Sequence, residues 1–562
     1  MKTKIFTTLP VQTLLALVVG FLVSIIANFF IEGARFLLSL QSATNTLSIR
    51  FLSTEITLLP IVAMFLSAIL IIGVRKTLGV TKWSGPADSI YALHQQKIGV
   101  DIKLGLGSTL AAFISAGGGA SVGQYGPLIH FGSTLSTMLS RFFGSQISKD
   151  VLIACGVAAA ISAGFNAPIA GILFAHEALL RRFSIGAVAP ISVAAIVASA
   201  SNQYLGFSNL AFTVPASDLE LGAVVPFVIL FAPVCSVAAI VYMLTLRKFQ
   251  KFAASGKFSF NTLIFVTALV VGIVGVFLPD VLGLGGPQIN KMVNGEYTLQ
   301  FLAILFVAKI VITAACVSFG FFGGIFGPAL FVGAALGAIL SGLLVQVGLP
   351  SDYGSIITVA TLAAVGSSVI GAPLTAVLIV VELTGSYQYG LMALLSVTLC
   401  SNLTYRFFGL SFFDRQLLDR GIDLTRGREH IHMTQLYMSE VQLSDCLTFS
   451  KGEAASSILE AMRNEQTTES YILNQDGSLH GKLDLHVLIS SQDDFEVKLD
   501  FKPICLETNN SLSEALEIAS DFVGESIPVL ENGIFTGAIT EGDLFKKVLE
   551  VEESLRGEGA LQ

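Results

Sequence analysis

Residues 166–177 read NAPIAGILFAHE, and residues 371–382 read GAPLTAVLIVVE. In both stretches an Ala-Pro pair opens an apolar run and a glutamate follows ten residues after the alanine, so they match at an offset of 205. A second pair, GQYGPLIHFG at 123–132 and GIFGPALFVG at 324–333, shares two glycines, a proline and a final glycine at an offset of 201. Two matches in the same order and at nearly one offset predict a duplicated half of roughly 200 residues.

The duplication lies in a chain that is too apolar for a soluble protein. Of its 562 residues, 53% are hydrophobic and 13% are charged, whereas soluble domains carry about a quarter charged residues. The first apolar stretch covers residues 9–31. Further apolar stretches follow along the chain, and Gly-Pro or Ala-Pro pairs interrupt several of them. We therefore predict that this part of the chain is an all-α polytopic domain of the lipid bilayer. Its repeats cover about 1–215 and 216–420, and their broken helices mark a transport site near the membrane midplane.

Charge divides the chain into two domains. Residues 1–430 carry 24 Lys and Arg and 16 Asp and Glu, whereas residues 431–562 carry 8 and 24, so the net charges are +8 and −16. We predict a membrane domain over the first range and a soluble domain over the second. Nucleic-acid binding needs a basic face, so the acidic tail excludes a nucleic-acid partner. The six cysteines have no spacing typical of disulfide frameworks or metal sites, so we expect no metal.

The tail changes to a mixed pattern. Segments of strand-like alternation, such as ESYILN and IFTGAI, follow short amphipathic helices, such as AASSILEAMRNE and LSEALEIASDF. This alternation predicts an α/β domain. The same order of elements occurs twice, so we predict two related units, at about 436–495 and 500–556.

Three segments place glycine-containing backbone and a proline directly before a helix. They are Ser84-Gly85-Pro86, Gly123 to Pro127 and Gly323 to Pro328. Unpaired N–H groups and the positive end of the helix dipole make such a helix start an anion-binding site. The alternative is that the Gly-Pro pairs only break helices in a crowded bundle. Because there are three such starts, two of them related by the duplication, we favour the anion-binding interpretation.

The combination of these motifs resembles the CLC chloride channel and transporter family. The motifs are SGP, GxxGP, FNAPIAGILF, GGIFGP, APLTAVLIVVELTG and the doubled tail unit, and they follow the family's order over nearly the whole chain. The resemblance implies a membrane domain built as an inverted repeat of broken helices, followed by a cytoplasmic pair of CBS domains. It also implies a homodimer with one anion pathway per subunit, in a bacterial inner membrane, with no enzymatic activity.

The resemblance implies a set of anion-binding residues. The family's central coordinating serine falls on Ser84, its backbone donors fall on Ile325 and Phe326, and its constricting tyrosine falls on Phe413, which has no hydroxyl. Chloride is the expected ligand. The complete predicted set is Ser84, Gly85, Gly123, Gln124, Tyr125, Gly126, Gly324, Ile325, Phe326 and Phe413.

Two positions depart from the family's exchangers. Tyr125 stands where the family carries a gating glutamate, and a phenol is neutral at pH 7 and cannot compete with chloride as a tethered carboxylate does. Ala178 stands where exchangers carry an internal proton-accepting glutamate. Coupled antiport needs groups that titrate. The sequence therefore predicts a passive, proton-uncoupled chloride channel in which Tyr125 is the gate.

The sequence leaves two other functions open. One is a proton/chloride exchanger with a non-standard proton route through Glu177 or His176, although the repeat partner Glu382 favours a structural role for Glu177. The other is a CBS-regulated sensor that does not conduct, in which Tyr125 is a permanent plug. A further charge, Lys309, either raises the positive potential along the pathway or extends to a membrane interface.

The doubled tail unit implies a nucleotide site. The family's signature glycine, phosphate-contacting hydroxyl and ribose-binding aspartate fall on Gly537, Thr540 and Asp543. The first unit has Asp484 where the hydroxyl should be, so we expect at most one adenosine site. ATP or another adenine nucleotide is the expected ligand, and transport requires no cofactor. The alternative is a tail that serves only dimerisation and stability, because its acidic charge disfavours a phosphate ligand.

Overall fold

The chain forms two compact units in the computed structural model. The first comprises Met1–Leu93 and Lys97–Gly421, and the second comprises His94–Gln96 and Ile422–Gln562. The structure describes residues 2–43, 48–51, 54–95, 99–143, 148–183, 185–207, 214, 220–348, 350–491 and 498–560.

The described part of the first unit is mostly helical. Its first half contains the helices α1 Lys2–Ala43, α2 Leu59–Leu78, α3 Pro86–His94, α4 Ile102–Gly118, α5 Tyr125–Phe143, α6 Lys149–Phe165, α7 Pro168–Phe174 and α8 Ile185–Tyr204, together with the hairpin strands β1 Ser48–Phe51 and β2 Thr54–Thr57. A π-helical turn, Ala175–Leu180, continues α7 directly.

The second half repeats this organisation. It contains α9 Leu221–Ala254, α10 Phe260–Phe277, α11 Gly286–Val293, α12 Leu299–Ser318, α13 Phe326–Gln346, α14 Gly354–Ile370, α15 Pro373–Thr384, α16 Tyr387–Phe408 and α17 Phe412–Leu418. Short 3₁₀ turns precede α11 and α14, at Pro279–Val281 and Ser351–Tyr353.

The two Ala-Pro motifs produce the same local structure. Asn166 ends α6 and Gly371 ends α14, and both adopt left-handed backbone with φ of 54° and 74°. Glycine has no Cβ to oppose this conformation, and asparagine tolerates it better than most residues. The following prolines, Pro168 and Pro373, open α7 and α15, where a missing N–H leaves no hydrogen bond unmade. Each half therefore contains a long buried helix, a sharp turn and a short apolar helix.

Close backbone contacts hold the centre of each half together. A Cβ added to Gly132 of α5 would lie 2.2 Å from the carbonyl oxygen of Gly156 in α6. At the equivalent place in the second half, a Cβ added to Gly333 of α13 would lie 2.8 Å from the Cα of Leu362 in α14. The buried cores of the two halves are therefore the helix pairs α5/α6 and α13/α14.

Among the described residues, nine helices are long and apolar enough to cross a membrane. They lie within Val11–Gln41, Leu59–Leu78, Ile185–Tyr204, Leu221–Ala254, Phe260–Phe277, Leu299–Ser318, Phe326–Gln346, Ser351–Ile370 and Tyr387–Leu418. Shorter apolar helices, including α7 with its π-helical turn and α15, lie between them. The first unit is thus a multi-pass membrane domain that contains interrupted helices.

The second unit is a small α/β structure. Its helices are α18 Gly427–Gln435, α19 Ala455–Asn464, α20 Leu485–Ser491, α21 Leu512–Ala519 and α22 Glu541–Ala560, and its strands are β3 Thr448–Ser450, β4 Glu469–Leu473, β5 Leu479–Asp484, β6 Leu506–Glu507, β7 Ile527–Glu531 and β8 Ile534–Ile539.

The described strands of the second unit form two sheets of the same topology. In the order β3-β4-β5, the first strand is parallel and the third antiparallel to β4, and β6-β7-β8 repeats this arrangement around β7. Each sheet packs against helices and encloses an apolar core of its own. The core of the first sheet surrounds Ile458 and Leu483, and the core of the second surrounds Leu512 and Val529. The tail therefore consists of two copies of one small mixed fold.

Candidate functional site

The two halves of the membrane unit meet at a pair of glycines in equivalent repeat positions. The N–H of Gly123 donates to the carbonyl oxygen of Gly324 at 2.6 Å, and the N–H of Gly324 donates back to Gly123 at 2.7 Å. A Cβ on Gly123 would lie 3.0 Å from that oxygen, and a Cβ on Gly324 would lie 2.8 Å from the amide nitrogen of Gly126. Only glycine fits this approach, which places the N-termini of α5 and α13 side by side.

A cavity of about 90 Å³, hereafter the smaller cavity, is lined by residues from all three predicted anion-binding segments. The N-termini of α3, α5 and α13 all contribute to its wall. Because helix N-termini carry positive partial charge and unpaired N–H groups, this convergence suits an anion. The predicted residues that line it are Gly85, Gly126, Gly324, Ile325, Phe326 and Phe413.

A larger cavity, of about 580 Å³, lies on the other side of the α5 N-terminus. Of the predicted residues, Gln124 and Tyr125 line it, together with Phe165 at the end of α6. Arg35 of α1 supplies a positive charge to its wall, although Glu32 pairs with that arginine at 2.7 Å. Consecutive residues of α5 thus face different cavities, with Tyr125 on the larger one and Gly126 on the smaller one.

An aromatic cluster separates the two cavities. The ring of Tyr125 stacks on that of Phe165 with centroids 3.6 Å apart, and both rings meet Phe326 edge-on at 5.7 Å. Tyr125 is buried, with 6% of its surface exposed. Because Phe326 lines the smaller cavity and the other two rings line the larger one, the cluster has one face on each. Phe165 was not among the residues selected from the sequence, although it belongs to the FNAPIAGILF motif.

The first predicted segment has fewer available donors than its sequence suggested. The N–H of Ser84 donates to the hydroxyl oxygen of Ser108 at 2.9 Å, and the N–H of Gly85 donates to Asp88 at 2.7 Å. Ser84 is buried, and it is not among the described residues that line the two cavities. Its hydroxyl remains the group through which it would contact an anion.

Glu177 connects the first half of the membrane unit to the second. It lies in the π-helical turn after α7, and its two carboxylate oxygens accept the N–H groups of Leu374 and Thr375 at 2.9 and 2.8 Å. The Thr375 hydroxyl adds a third hydrogen bond at 2.6 Å. These amides belong to the first turn of α15, where helix N–H groups have no intrahelical acceptor. Glu177 therefore caps a helix of the other repeat.

Glu382 forms the same contact in the opposite direction. From α15 it accepts the N–H groups of Ile169 and Ala170, in the first turn of α7, at 2.9 and 2.8 Å. The reciprocal pattern, in which each repeat caps the equivalent helix of the other, is what a local two-fold relation produces. Neither Glu177 nor Glu382 is among the described residues that line the two cavities.

The remaining proton-route candidates lie in the same π-helical turn. Ala178 is buried, and His176 stacks on Phe183 with ring centroids 4.6 Å apart, while its Nδ1 lies 3.1 Å from the carbonyl oxygen of Arg182. Neither residue is among the described lining residues of the cavities. The turn is therefore a packed structural element beside the α7/α15 crossing.

Lys309 is fully buried in α12, so the expectation that it extends to an interface is wrong. Its ammonium donates to the carbonyl oxygen of Val281 at 2.9 Å and lies 4.6 Å from the centre of the Phe331 ring. A Cβ on Gly285, which lines the larger cavity, would lie 3.5 Å from the Lys309 nitrogen. The lysine thus donates hydrogen bonds to buried carbonyls behind the cavity wall. The sequence pattern does not show that these carbonyls need a donor.

Two of the three predicted nucleotide residues of the tail, Thr540 and Asp543, lie at the start of α22. The hydroxyls of Thr540 and Ser444 each donate to Asp543 at 2.6 Å, and the N–H of Asp543 donates to the Thr540 hydroxyl at 3.0 Å. Hydrogen bonds from Ser444 and then Thr540 lower the pKa of Asp543. Gly537 lies in β8, where a Cβ would approach Leu443 to 2.8 Å. The N–H of Thr540 also donates to Asp543 at 3.3 Å, so Thr540 and Asp543 cap the start of α22 together. A ribose would have to displace the hydroxyls of Thr540 and Ser444 from Asp543.

Comparison with known proteins connects this architecture to one family. The chain is 29% identical over 323 residues to "Chloride channel protein CLC-f" of Arabidopsis thaliana, a match that covers 52% of this chain and 41% of the relative. The chain thus spans less than half the length of that relative.

Solved structures share the fold. "A slow cyanobacterial Cl⁻/H⁺ antiporter" superposes with a TM-score of 0.65 at 19% identity and covers 73% of this chain and 97% of its own. "A eukaryotic CLC transporter" superposes with a TM-score of 0.60 at 16% identity and covers 94% and 98%. The sequence profile of the family described as "Voltage gated chloride channel" matches residues 76–405, more than half of the chain. On that match, and with the same fold in its structural neighbours, the chain belongs to the voltage gated chloride channel (CLC) family.

Proposed function

We propose that the chain is a passive, proton-uncoupled anion channel in which Tyr125 is the gate and chloride is the expected ion. The observation that carries the proposal is the stack of Tyr125 on Phe165, in a ring cluster that faces both cavities. A neutral ring closes the route by steric contact, and it leaves no charged carboxylate that a proton must neutralise before an anion passes.

The hydrogen bonds of Glu177 and Glu382 support the absence of proton coupling. Glu177 and Glu382 already accept backbone N–H groups through both oxygens, so neither carboxylate is free to move along a pathway. Ala178, at the position of the internal proton acceptor, cannot bind a proton. An exchanger that used Glu177 would have to break its three hydrogen bonds in every cycle, so we rank this alternative below a channel.

Anion binding would rest on backbone and ring edges. The amides at the starts of α5 and α13 meet at the smaller cavity, and we assign the ion to this place, near Gly126, Ile325 and Phe326. Phe413 contributes a ring without a hydroxyl donor. A site built from amides and ring edges has little size discrimination, so we expect weak preference among halides.

We further propose that the membrane unit is an inverted repeat and that the tail is a cytoplasmic CBS pair of a homodimer in a bacterial inner membrane. The reciprocal Glu177 and Glu382 caps support the first point, and the two matching sheets of the tail support the second.

An adenine nucleotide would use Gly537, Thr540 and Asp543, and its binding would bias the gate. If an adenine nucleotide does not change anion flux, the tail serves only assembly and stability.

A liposome assay tests the proposal. Purified protein is reconstituted with a chloride gradient, chloride efflux is followed with an electrode, and internal pH is followed with a trapped dye. We expect chloride efflux that needs valinomycin and potassium for charge balance and that moves no protons uphill. Uphill proton movement with fixed stoichiometry would support the exchanger. No flux from the wild type together with none from Tyr125→Ala would support the non-conducting sensor.

A further inference from the structure

Positive side chains gather where α2 and α9 end and α10 begins. The sequence has no Asp or Glu between Glu55 and Asp88, nor between Glu220 and Asp280, so these two segments contribute only positive charge. Arg247 of the second segment pairs with an aspartate. Six other basic residues form no ion pair in the described part of the chain, and the five lysines among them are exposed. This set, hereafter the basic end, is Arg75, Lys76, Lys82, Lys248, Lys251 and Lys257.

Arg75 joins the two segments. Its guanidinium donates to the carbonyl oxygens of Val80 and Thr81 at 3.0 and 2.9 Å, which holds Lys82 beside the end of α2. The same guanidinium lies 3.7 Å from the centre of the Phe260 ring, at the first residue of α10. Because α2, α9 and α10 are all long and apolar enough to cross a membrane, the basic end lies at one membrane face.

Apolar rings border the lysines of α9. Lys248 and Lys251 lie three residues apart, on one face of the helix. Phe252 and Phe258 stay exposed although their rings are in contact, with centroids 6.0 Å apart. Aromatic side chains at the end of a spanning helix occupy the boundary between acyl chains and headgroups. A partner that matches this surface therefore carries a negative group and apolar chains together.

Helix dipoles do not account for this much charge. Basic residues complement the C-terminal ends of α2 and α9, each of which is equivalent to roughly −0.5 elementary charge. Six side chains against two such ends leave about +5. The N-terminal end of α10, which is positive, adds to this surplus. Clusters of about four to eight Lys and Arg beside a spanning helix are typical of anionic lipid recognition.

We propose that the basic end binds the headgroup phosphate of an anionic phospholipid of the phosphatidylglycerol type, whose acyl chains cover Phe252 and Phe258. None of the six basic residues is among the described residues that line the two cavities. The proposal is therefore independent of the channel function, because it concerns the lipid-facing side of the membrane unit and not the anion pathway.

Native mass spectrometry of the full-length protein in a non-ionic detergent tests the proposal. The protein is titrated with phosphatidylglycerol and, separately, with phosphatidylcholine of the same acyl chains. We expect the first phosphatidylglycerol to bind at least about tenfold more tightly than phosphatidylcholine. The double variant Lys248→Gln/Lys251→Gln should bind phosphatidylglycerol about ten- to thirtyfold more weakly and phosphatidylcholine as before. Lys248→Arg/Lys251→Arg keeps both charges and should bind like the wild type.

A matched variant separates this surface from exposed lysines in general. Lys103→Gln/Lys149→Gln also removes two exposed lysines, from the starts of α4 and α6, where Asp101 and Asp150 lie close in sequence. It should bind phosphatidylglycerol like the wild type. Added salt should weaken the lipid's binding to the wild type, because ions screen exposed charges. Inorganic phosphate should not displace the lipid, since it has no acyl chains.

Four results would overturn the proposal. The first is equal binding of the two lipids by the wild type. The second is equal binding of phosphatidylglycerol by the wild type and Lys248→Gln/Lys251→Gln. The third is an equal loss in Lys103→Gln/Lys149→Gln, because any two exposed lysines would then suffice. The fourth is displacement of the lipid by inorganic phosphate, which would identify the free ion as the ligand.

Discussion

The ring of Tyr125 lies parallel to that of Phe165, with 3.6 Å between centroids and 5° between planes. Stacked aromatic pairs contribute about 0.5–1.5 kcal/mol beyond the area that they bury. In the proposed channel, Tyr125 would have to leave this stack for the two cavities to communicate, so the aromatic contact would stabilise the closed gate. A gate held by stacking and not by charge should be insensitive to proton binding.

Shortening Tyr125 should open the pathway. Tyr125→Ala removes the ring that separates the cavities, and we expect chloride efflux from liposomes to rise at least severalfold over the wild type. Tyr389→Ala is the matched control, because Tyr389 is a buried tyrosine of α16 that is not among the described residues that line either cavity. Efflux from Tyr125→Ala equal to that of the wild type would contradict the gate.

Glu177 and Glu382, each of which accepts amides of the other repeat, should act as helix caps. Glu177→Gln replaces one acceptor oxygen by an NH₂ group that cannot accept from the α15 amides, so we expect a loss of about 1–3 kcal/mol of stability, as for hydrogen bonds to charged groups. Glu382→Gln should cause a similar loss at the α7 amides. The midpoint of heat-induced aggregation in detergent measures both.

The same variants separate a cap from a proton carrier. If Glu177 only caps α15, chloride flux per folded protein should stay proton-independent in Glu177→Gln. A variant with wild-type thermal stability that changed a measurable chloride-dependent proton movement would instead identify Glu177 as part of a proton route.

Lys309 should hold the wall of the larger cavity. Lys309→Met keeps the length of the side chain but leaves the buried carbonyl of Val281 without its donor, at a cost of about 1–3 kcal/mol. We expect faster hydrogen exchange over residues 279–289 and a lower melting temperature. Lys291→Met serves as the control, because Lys291 lies on the neighbouring α11 and is not buried. Unchanged exchange in Lys309→Met would contradict this role.

The tail should become less stable in acid through Glu469. Burial would raise the pKa of Glu469, but the hydrogen bonds from Lys482 and from the amides of Glu525 and Ser526 outweigh it and lower the pKa below its ordinary value of 4.5. Lys482 lies 2.7 Å from the carboxylate. A carboxylate with a lowered folded-state pKa stabilises above its unfolded pKa, and this contribution is lost as pH falls through the folded value.

Hydrogen exchange of the full-length protein measures this effect. Exchange over residues 469–484 should be slow at pH 7 and should accelerate, after correction for the intrinsic rate, below about pH 4.5, the unfolded pKa of Glu469. In Glu469→Gln that acceleration should be smaller and protection at pH 7 weaker. An identical pH profile in both proteins would show that another group destabilises the tail.

The sequence predicted those features that local chemistry encodes. The glycines, prolines and glutamates of the duplication lie at fixed offsets, so the helical membrane fold with interrupted helices followed from pattern alone. The pattern showed that Gly123 and Gly324 are equivalent, but not that they meet. The partners of these residues depend on three-dimensional packing. The repeat partner Glu382 indicated that Glu177 is a structural carboxylate that caps backbone near a helix end, and the structure confirms this. Nothing in the sequence indicated that the capped helix belongs to the other repeat, that Phe165 supports Tyr125, or that Lys309 serves buried carbonyls.

The amides of the first segment illustrate the same limit. The motif at Ser84 and Gly85 predicted free N–H donors, yet Ser108 and Asp88 accept both of them. These acceptors come from α4 and from the first turn of α3 itself, and a motif does not identify the side chains that satisfy it. Sequence therefore located the helix starts better than it located the available donors.

The reversal potential of the reconstituted protein under crossed chloride and pH gradients tests the central claim most directly. Planar bilayers receive a fixed chloride gradient while the pH of one side is varied. A proton-uncoupled channel gated by Tyr125 predicts a reversal potential that equals the chloride equilibrium potential at every pH. A reversal potential that shifts systematically with the pH gradient would contradict it.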